Sequence, residues 1–423
     1  MHSINPALAH RNVEVMNFLN EVAHRYPNAI SFAPGRPQER FFDVPSALEL
    51  ITEFAQARPG VRGADLADLG QYGRTNGVIG ELIADLLRQD EGLSADAQEL
   101  VVTVGAQEAM CLCLLTLCGR ADDVALVVEP AYIGMSGAAQ VLGIATCCVP
   151  SDDDGVDLIA LEQLVTQLQA QGKRARLLYL APDFANPSGV TTTLARRQGL
   201  LDFTRRHGIF VVEDHAYSYF RYEGERLLPL RAMAGGAHCA YIGSFSKSLF
   251  PGVRVGFVLA PHDDMAGQLS AARVAHEMSK VKSLLTVNTS PLCQAIVGGM
   301  LLRHGGSLQD YIRVRHAAMR ENRDTLLAAL EQHFPAQTRP HGMRWNKPEG
   351  GFFLTLYTGS WTVTDQDLLH CAAEYGVLWT PMSYFYLDGR PAQAIRLSFS
   401  YVTPEQIQLG IAAFARFVRA RRD

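Results

Sequence analysis

The 423-residue sequence has no excess of basic residues and no long apolar run. Lys and Arg number 38 against 43 Asp and Glu, so the formal net charge is −5 at pH 7. A nucleic-acid-binding domain usually carries a basic patch, and a membrane-spanning helix needs about 20 predominantly apolar residues. The sequence therefore predicts neither a nucleic-acid partner nor membrane insertion.

Cysteine pairs and histidine clusters are also missing. None of the eight cysteines forms a C-x-x-C pair, and the 13 histidines include no H-x-x-x-H pattern. Disulfides are rare in the reducing cytosol, and zinc sites usually bring Cys and His together at short spacings. The N-terminus MHSINPALAHRNVEV lacks the charged and then apolar pattern of a signal peptide. These absences predict a cytoplasmic protein without a catalytic metal.

Short apolar runs alternate with helical segments from about residue 75 onward. The runs are ELVVTVG, DVALVVEP, RLLYLAP, GIFVVEDH, CAYIGSF and RVGFVLAP. Nearly continuous apolar strands separated by helices are typical of a parallel sheet that is covered on both faces. The sequence therefore predicts an α/β fold whose sheet is mostly parallel.

The pattern changes after about residue 305. A long charged helix, LQDYIRVRHAAMRENRDTLLAAL, precedes the strand-like segments GGFFLTLY and AIRLSFS. We predict an N-terminal segment (residues 1–60) that belongs to a small domain, a large domain (61–305), and a C-terminal small α+β domain (306–423). A chain of this length is expected to form more than one domain.

Polar side chains follow the predicted strands at the points where the strands end. Each of them alone is better explained as a helix cap, a turn or a packed residue. In open parallel sheets, however, ligands bind beyond the carboxyl ends of the strands, so their joint occurrence predicts a binding site. The residues are Gly105, Ala106, Gln107, Tyr132, Asn186, Asp214, Tyr217, Ser244, Ser246 and Lys247.

Lys247 is the candidate nucleophile of this set. The sequence has no G-x-G-x-x-G after the first strand, no G-x-x-x-x-G-K-[ST] and no G-x-S-x-G, so a nucleotide cradle and a serine-hydrolase turn are not predicted. A neutral lysine amine near pH 7 costs about 5 kcal/mol, and condensation with a carbonyl cofactor avoids much of that cost. Pyridoxal phosphate requires such a lysine, an acid for its ring nitrogen and an anion site for its phosphate.

The remaining residues supply those requirements. Asp214 can hold the ring nitrogen protonated through a charge-assisted bond, and Tyr132 can stack on the ring. Asn186 and Tyr217 can bond the phenolic oxygen of the ring. Hydroxyl, guanidinium and helix-terminal N–H groups can bind the phosphate; these belong to Ser244, Ser246, Arg254, Gly105, Ala106 and Gln107.

The motifs as a set resemble the fold type I pyridoxal-phosphate aminotransferases of class I/II. They are YGRTNG, GAQEAM, EPAY, NPSG, EDHAY, SFSKSLFPGVRVG, PEGGFF and RLSFS, and the resemblance extends from about residue 13 to the end. It implies that Lys247 binds the cofactor covalently and shuttles the proton, and that Asp214 partners the pyridinium. It also implies that Arg396 binds the substrate α-carboxylate, and that Tyr72 reaches the phosphate of the other subunit in a homodimer.

The segment VMNFLNEVAHRYPNAISFAPGRP resembles the branch with the 2-aminoadipate, kynurenine and 3,5-dihydroxyphenylglycine aminotransferases. Gly35 then fits a glycine loop that closes over substrate. Arg36 is open to three interpretations: a partner for a distal carboxylate, a residue that shapes a larger pocket, or a surface arginine. His215 either modulates the ring region or packs beneath it, and the run Tyr384–Tyr386 can line an aromatic-tolerant pocket.

The predicted activity is ping-pong transfer of an amino group between an L-amino acid and a 2-oxo acid. The donor is expected to be aromatic or 2-aminoadipate-like, and the acceptor to be 2-oxoglutarate or pyruvate. One alternative is a pyridoxal-phosphate lyase, cyclase or oxidase of amino acids in a specialised biosynthetic pathway. Another is a ligand-sensing domain like the aminotransferase-like half of some bacterial regulators.

Overall fold

The computed structural model describes residue 8 and residues 11–58, 63–262 and 269–421. The first half of the chain contains the elements α1 (Arg11–Arg25), β1 (Ile30–Ser31), α2 (Ala47–Ala57), α3 (Leu66–Leu69), α4 (Gly80–Glu91), β2 (Leu100–Thr103), α5 (Gly105–Leu117), β3 (Asp123–Glu129), α6 (Ile133–Val141), β4 (Ala145–Asp152), β5 (Gly155–Val156), α7 (Leu158–Ala170), β6 (Arg174–Leu180), α8 (Leu194–His207) and β7 (Phe210–Asp214).

The second half contains the strand that precedes Lys247, which is β8. Its elements are α9 (Leu230–Met233), β8 (Cys239–Ser244), α10 (Phe245–Ser248), β9 (Gly256–Leu259), α11 (Ala271–Leu285), α12 (Pro291–Arg303), α13 (Gln309–His333), β10 (Met343–Trp345), β11 (Phe353–Thr358), α14 (Asp365–Tyr375), β12 (Val377–Leu378), β13 (Thr380–Pro381), β14 (Ala394–Ser398) and α15 (Pro404–Ala420).

The central sheet has the strand order β2-β9-β8-β7-β6-β3-β4-β5. Its inner pairs β8–β7, β7–β6, β6–β3 and β3–β4 are parallel, whereas β9 is antiparallel to both of its neighbours. All residues of β2, β7 and β9 are buried, as expected for strands that are covered on both faces. The predicted mostly parallel sheet is confirmed.

Helices cover both faces of this sheet. Helices α5, α6 and α11 pack on one face, where Met110 and Met278 are fully buried. Helices α7 and α8 pack on the other face through Leu161 and Leu200. The prediction missed β4, because its sequence ATCCVPSD contains no continuous apolar run, and most of its residues near the sheet edge are half-buried or exposed.

A second sheet lies in the C-terminal part of the chain. It has the antiparallel order β10-β11-β14-β13, and α13 packs against α15 beside it. The predicted long helix and both predicted strands are therefore present. Strand β1 pairs in parallel with β12, with Ile30 beside Val377. This pairing supports the proposal that the N-terminal segment belongs to the small domain; its proposed boundary at residues 60–61 lies outside the described residues.

The described residues contain neither a membrane-spanning helix nor a metal-binding cluster. None of the helices in the described ranges is long and apolar enough to cross a bilayer. Among the same residues, no group of three or more His, Cys, Asp or Glu side chains is arranged to hold a metal ion.

Candidate active site

The carboxyl ends of the central strands open into a cavity of about 580 Å³ between the two sheets. Because β6, β7 and β8 are adjacent and parallel, the residues after them meet at one edge of the sheet. Strand β14 and helix α1 line the opposite side. The predicted residues in the cavity wall are Gly35, Arg36, Ala106, Gln107, Tyr132, Asn186, Asp214, Tyr217, Ser244, Ser246, Lys247, Arg254 and Arg396.

Lys247 enters the cavity from the short helix α10, directly after β8. Its Nζ donates a hydrogen bond of 2.9 Å to the carbonyl oxygen of Gly35. Burial lowers the pKa of Lys247 to about 8, and the nearby charge of Arg254 adds to this effect, while Asp214 opposes it. An amine with this pKa is partly neutral near neutral pH, as a nucleophile must be.

Asp214 is the last residue of β7 and is buried beside the cavity. Its Oδ2 accepts a 2.8 Å hydrogen bond from the hydroxyl of Tyr179, and its Oδ1 accepts one of 3.1 Å from the N–H of Ala216. Burial raises the pKa of Asp214, although the bond from Tyr179 opposes this shift. The carboxylate is therefore fixed in position and is poorly solvated, which favours a cationic partner.

The N-terminus of α5 and Arg254 form one end of the cavity. Gly105 has φ +72°, and a Cβ at this position would lie 2.5 Å from Nη2 of Arg254, so the close approach requires glycine. Nη1 of Arg254 donates to Oγ of Ser246 at 3.4 Å, and Oγ of Ser244 accepts from the N–H of Ser246 at 3.2 Å. Helix-terminal N–H groups, hydroxyls and a guanidinium thus converge there, as an anion site requires.

Asn186 lies between Tyr217 and Arg396 in the cavity wall. Its Oδ1 accepts a 2.7 Å hydrogen bond from Nη1 of Arg396, and its side chain also lies near the hydroxyl of Tyr217. Burial raises the pKa of Tyr217 and of Tyr132, so both phenols remain protonated and are available as donors. The ring of Tyr217 packs edge-on against Phe353, with centroids 5.5 Å apart.

Arg396 is buried on β14 between two aromatic rings. Its Cζ lies 4.4 Å from the ring centroid of Phe353 and 4.8 Å from that of Phe385, and its Nη2 donates to the carbonyl of Ala33. Burial lowers the pKa of Arg396 to about 10. Its Nε has no hydrogen-bond partner among the described residues, so one N–H donor of the guanidinium is unused.

Gly35 and Arg36 lie in the loop after β1 that borders the cavity. A Cβ at Gly35 would lie 2.3 Å from Cζ of Phe353, so only glycine fits there. Arg36 is exposed, and its guanidinium lies 4.2 Å above the ring of Tyr401. Among the ion pairs found in the described residues, none involves Arg36.

Two other residues of interest lie outside the cavity. Tyr72 is 80% exposed, so it does not contribute to the site of its own chain. His215 does not line the cavity: its Nε2 lies 2.8 Å from Oε2 of Glu213, and its ring stacks on Tyr241 at 4.5 Å. Of the two interpretations of His215, the structure favours packing beneath the site.

The sequence analysis missed some residues in the cavity wall. Tyr179, which holds Asp214, lies within β6 and not after it, so the rule of strand ends did not select it. In the aromatic run, only Phe385 lines the cavity. Tyr384 is turned toward Asp365, and the ring of Tyr386 lies under Arg390.

These residues fit pyridoxal phosphate. The cavity carries the cations Lys247, Arg254 and Arg396, and Asp214 is the one carboxylate that the described residues contribute to its wall. The cavity therefore suits a ligand with an anionic phosphate and a basic ring nitrogen. The glycine cradle at α5 gives the phosphate backbone N–H donors. The lysine, the acid and the anion site required by this cofactor are therefore in one cavity.

Comparisons with known proteins agree with this assignment. The model of the family "Aminotransferase class I and II" matches residues 46–414. The (S)-3,5-dihydroxyphenylglycine transaminase of Amycolatopsis orientalis is 40% identical over 100% of this chain and 95% of its own. The 2-aminoadipate transaminase of Thermus thermophilus is 29% identical over 93% of this chain and 91% of its own.

A solved structure shows the same architecture. The kynurenine aminotransferase of Pyrococcus horikoshii, in complex with PMP, aligns with a TM-score of 0.84 and 27% identity, covering 100% of this chain and 98% of that one. The chain belongs to the class I and II aminotransferase family. It is a fold type I, pyridoxal-phosphate-dependent aminotransferase that acts on amino acids and 2-oxo acids.

Proposed function

We propose that the amino donor of this enzyme is an L-amino acid with an aromatic side chain, of the arylglycine or arylalanine type. The observation that carries the proposal is the apolar part of the wall of the cavity that Arg396 also lines. This part is formed by Leu19, Ile133, Leu378 and Phe385. A flat ring can lie against such a wall while the α-carboxylate binds Arg396. The 40% identity to a 3,5-dihydroxyphenylglycine transaminase supports the same class of donor.

Each residue of the site has a proposed role in this reaction. When bound, pyridoxal phosphate supplies an electron sink for the bond that breaks at Cα. We propose that Lys247 binds the cofactor covalently and moves the Cα proton, and that Asp214 holds the ring nitrogen protonated. Asn186 and Tyr217 donate to the phenolic oxygen, and Tyr132 packs on the ring.

The acceptor is proposed to be a 2-oxo acid with a distal carboxylate, such as 2-oxoglutarate. Arg36 borders the cavity and has no carboxylate partner in the described part of the chain. Its position over Tyr401 holds the guanidinium close to the cavity mouth. One cavity thus accommodates an apolar ring in one half-reaction and a second carboxylate in the other. A 2-aminoadipate-like donor is the second candidate, since it would use the same arginine.

The donor class is tested by single-turnover kinetics with a panel of amino acids at saturating enzyme. Arylglycines, phenylalanine and tyrosine are expected to convert the bound cofactor to its aminated form at least tenfold faster than 2-aminoadipate or alanine. A 2-aminoadipate rate above all the aromatic rates would contradict the proposal. The amount of 2-oxo acid should equal the amount of donor consumed, as transamination requires.

Replacing Arg36 tests the acceptor class. The substitution Arg36→Gln is expected to raise the KM for 2-oxoglutarate about tenfold, because a hydrogen-bonded charge pair contributes about 1.5–3 kcal/mol. The KM for pyruvate should stay unchanged. Arg40→Gln is the matched control, since Arg40 is exposed nearby and does not line the cavity. An equal effect on both acceptors would show that Arg36 does not bind the distal carboxylate.

We also propose that the enzyme is a homodimer in which Tyr72 bonds the phosphate in the partner's site. The chain exposes Tyr72 together with large apolar side chains, among them Leu284 at 88%. Sedimentation should give twice the mass of 46.4 kDa. Tyr72→Phe should weaken pyridoxal phosphate binding about tenfold through loss of one hydrogen bond to a charged group. A monomeric, fully active enzyme would refute this arrangement.

A further inference from the structure

A buried ion pair lies directly behind the proposed phosphate site. Lys282 of α11 is fully buried, and its Nζ donates to Oε2 of Glu108 at 2.7 Å and to Oγ1 of Thr286 at 2.9 Å. The hydroxyl of Thr286 donates to Oε1 of Glu108 at 2.6 Å. None of these three residues lines the cavity, so none of them contacts a ligand there.

The position of Glu108 raises an electrostatic problem. It lies in the first turn of α5, where its carboxylate opposes the positive end of the helix dipole that should attract a phosphate. A phosphate monoester carries about −1.5 to −2 charges near neutral pH. An unpaired Glu108 would therefore repel the ligand that the helix N-terminus is proposed to bind.

Lys282 supplies the positive charge that balances the carboxylate of Glu108. A lysine and a carboxylate at 2.7 Å present little net charge to their surroundings. Burial lowers the pKa of Lys282, and the hydrogen bond and charge of Glu108 oppose that shift, so the pairing favours the charged form of the lysine. No other cation contacts Glu108 among the ion pairs of the described residues.

The same contacts orient the carboxylate. Oε2 of Glu108 also accepts a 2.7 Å hydrogen bond from the N–H of Val104, the residue that precedes α5. The N–H groups of the first helical turn have no acceptor within the helix. With Glu108 held on Val104 by Lys282 and Thr286, the N–H groups of the following residues stay available to the cavity.

We propose that Lys282 is a positioning residue for the cofactor phosphate, which neutralises Glu108 and holds it away from the anion site. This inference rests on the proposed role of the α5 N-terminus in phosphate binding. According to this proposal, a lysine outside the cavity contributes to the affinity for pyridoxal phosphate. Tight binding of pyridoxal phosphate should require Lys282, whereas binding of pyridoxal, which lacks the phosphate, should not.

The test compares the dissociation constants of pyridoxal phosphate and pyridoxal in the cofactor-free protein. Lys282→Met should weaken pyridoxal phosphate on the order of tenfold relative to pyridoxal, as expected when one nearby unit charge is left unbalanced. Adding Glu108→Gln to that variant removes the unbalanced charge and should restore most of the wild-type ratio. Lys280→Met, an exposed position on the same helix, is the matched control and should leave the ratio unchanged.

Each outcome has a separate meaning. A wild-type protein that binds both ligands equally would refute the phosphate site itself, independently of Lys282. A normal ratio in Lys282→Met, or a double variant as weak as the single one, would overturn the role of Lys282. If Lys282→Met does not fold, the Glu108→Gln variant alone still tests the proposal. It leaves the positive charge of Lys282 unbalanced and should therefore tighten the binding of pyridoxal phosphate relative to that of pyridoxal. An unchanged or weaker relative affinity for pyridoxal phosphate would overturn the proposal.

Discussion

Replacing Lys247 by alanine is expected to abolish covalent attachment of the cofactor. It should also slow the half-reaction by about 10²–10⁴-fold, which is the usual contribution of a general acid–base group. The reason is that Lys247 has the only amine in the cavity wall among the described residues. Mass spectrometry after borohydride reduction measures attachment, and single-turnover absorbance measures the rate. A variant that retains the mass of the bound cofactor would contradict the assignment.

The pH dependence of attachment separates the nucleophile from a merely cationic residue. Burial lowers the pKa of Lys247 to about 8, so the neutral, reactive fraction increases as the pH is raised through 8. The rate of attachment to the cofactor-free wild-type protein should follow this increase, with a midpoint near pH 8. Lys247→Arg is the control, because it keeps the positive charge and should show no attachment at any of these pH values. A midpoint near the ordinary value of 10.5 would mean that the reactive amine lies elsewhere.

The residues that follow the strands could be predicted from the sequence for a simple topological reason. Strands β6, β7 and β8 are neighbours and run in the same direction, so Asn186, Asp214 and Lys247 meet at one edge. Nothing beyond the order of the apolar runs and the rule for open sheets was needed. The cofactor assignment required in addition the chemistry of pyridoxal phosphate, which needs a lysine, an acid and an anion site.

The surroundings of Arg396 could not be predicted in the same way. Its charge lies between Phe353 and Phe385, which come from a different strand and from a short turn after β13. No local pattern in the sequence indicates which aromatic side chains pack together across a sheet. The lowered pKa of Arg396 and its free Nε follow from that packing, and so became visible only in the structure.

The surroundings of His215 could be predicted in part from the sequence. Successive side chains of a strand point to opposite faces, and Asp214 points into the cavity, so Glu213 and His215 should share the other face. The structure shows this pairing, with 2.8 Å between Nε2 of His215 and Oε2 of Glu213. Continuing the alternation one residue past the end of β7 would therefore have separated the two interpretations of His215. The same alternation did not select Tyr179, because its reach to Asp214 depends on the register of β6 against β7.

Replacing Asp214 by asparagine is expected to slow the half-reaction by about 10²–10³-fold, the usual cost of removing one preorganised electrostatic partner. Asparagine fills the same space but carries no charge, so it cannot hold a proton on the ring nitrogen. The hydrogen bonds from Tyr179 and Ala216 fix the carboxylate, so the loss should affect the rate constant more than the substrate KM. Single-turnover absorbance with an aromatic donor measures it.

Two further variants distinguish the charge of Asp214 from its packing. Tyr179→Phe removes one hydrogen bond but leaves the carboxylate, and should slow the reaction only about tenfold, since such a bond contributes about 1.5–3 kcal/mol when the acceptor is charged. Asp214→Ala loaded with cofactor methylated at the ring nitrogen carries a fixed positive charge and should recover at least tenfold of the lost rate. Lys247→Ala should gain nothing from the methylated cofactor, because its missing group moves a proton at Cα and does not act on the ring nitrogen. No recovery in Asp214→Ala would mean that Asp214 acts by some means other than holding the ring nitrogen protonated.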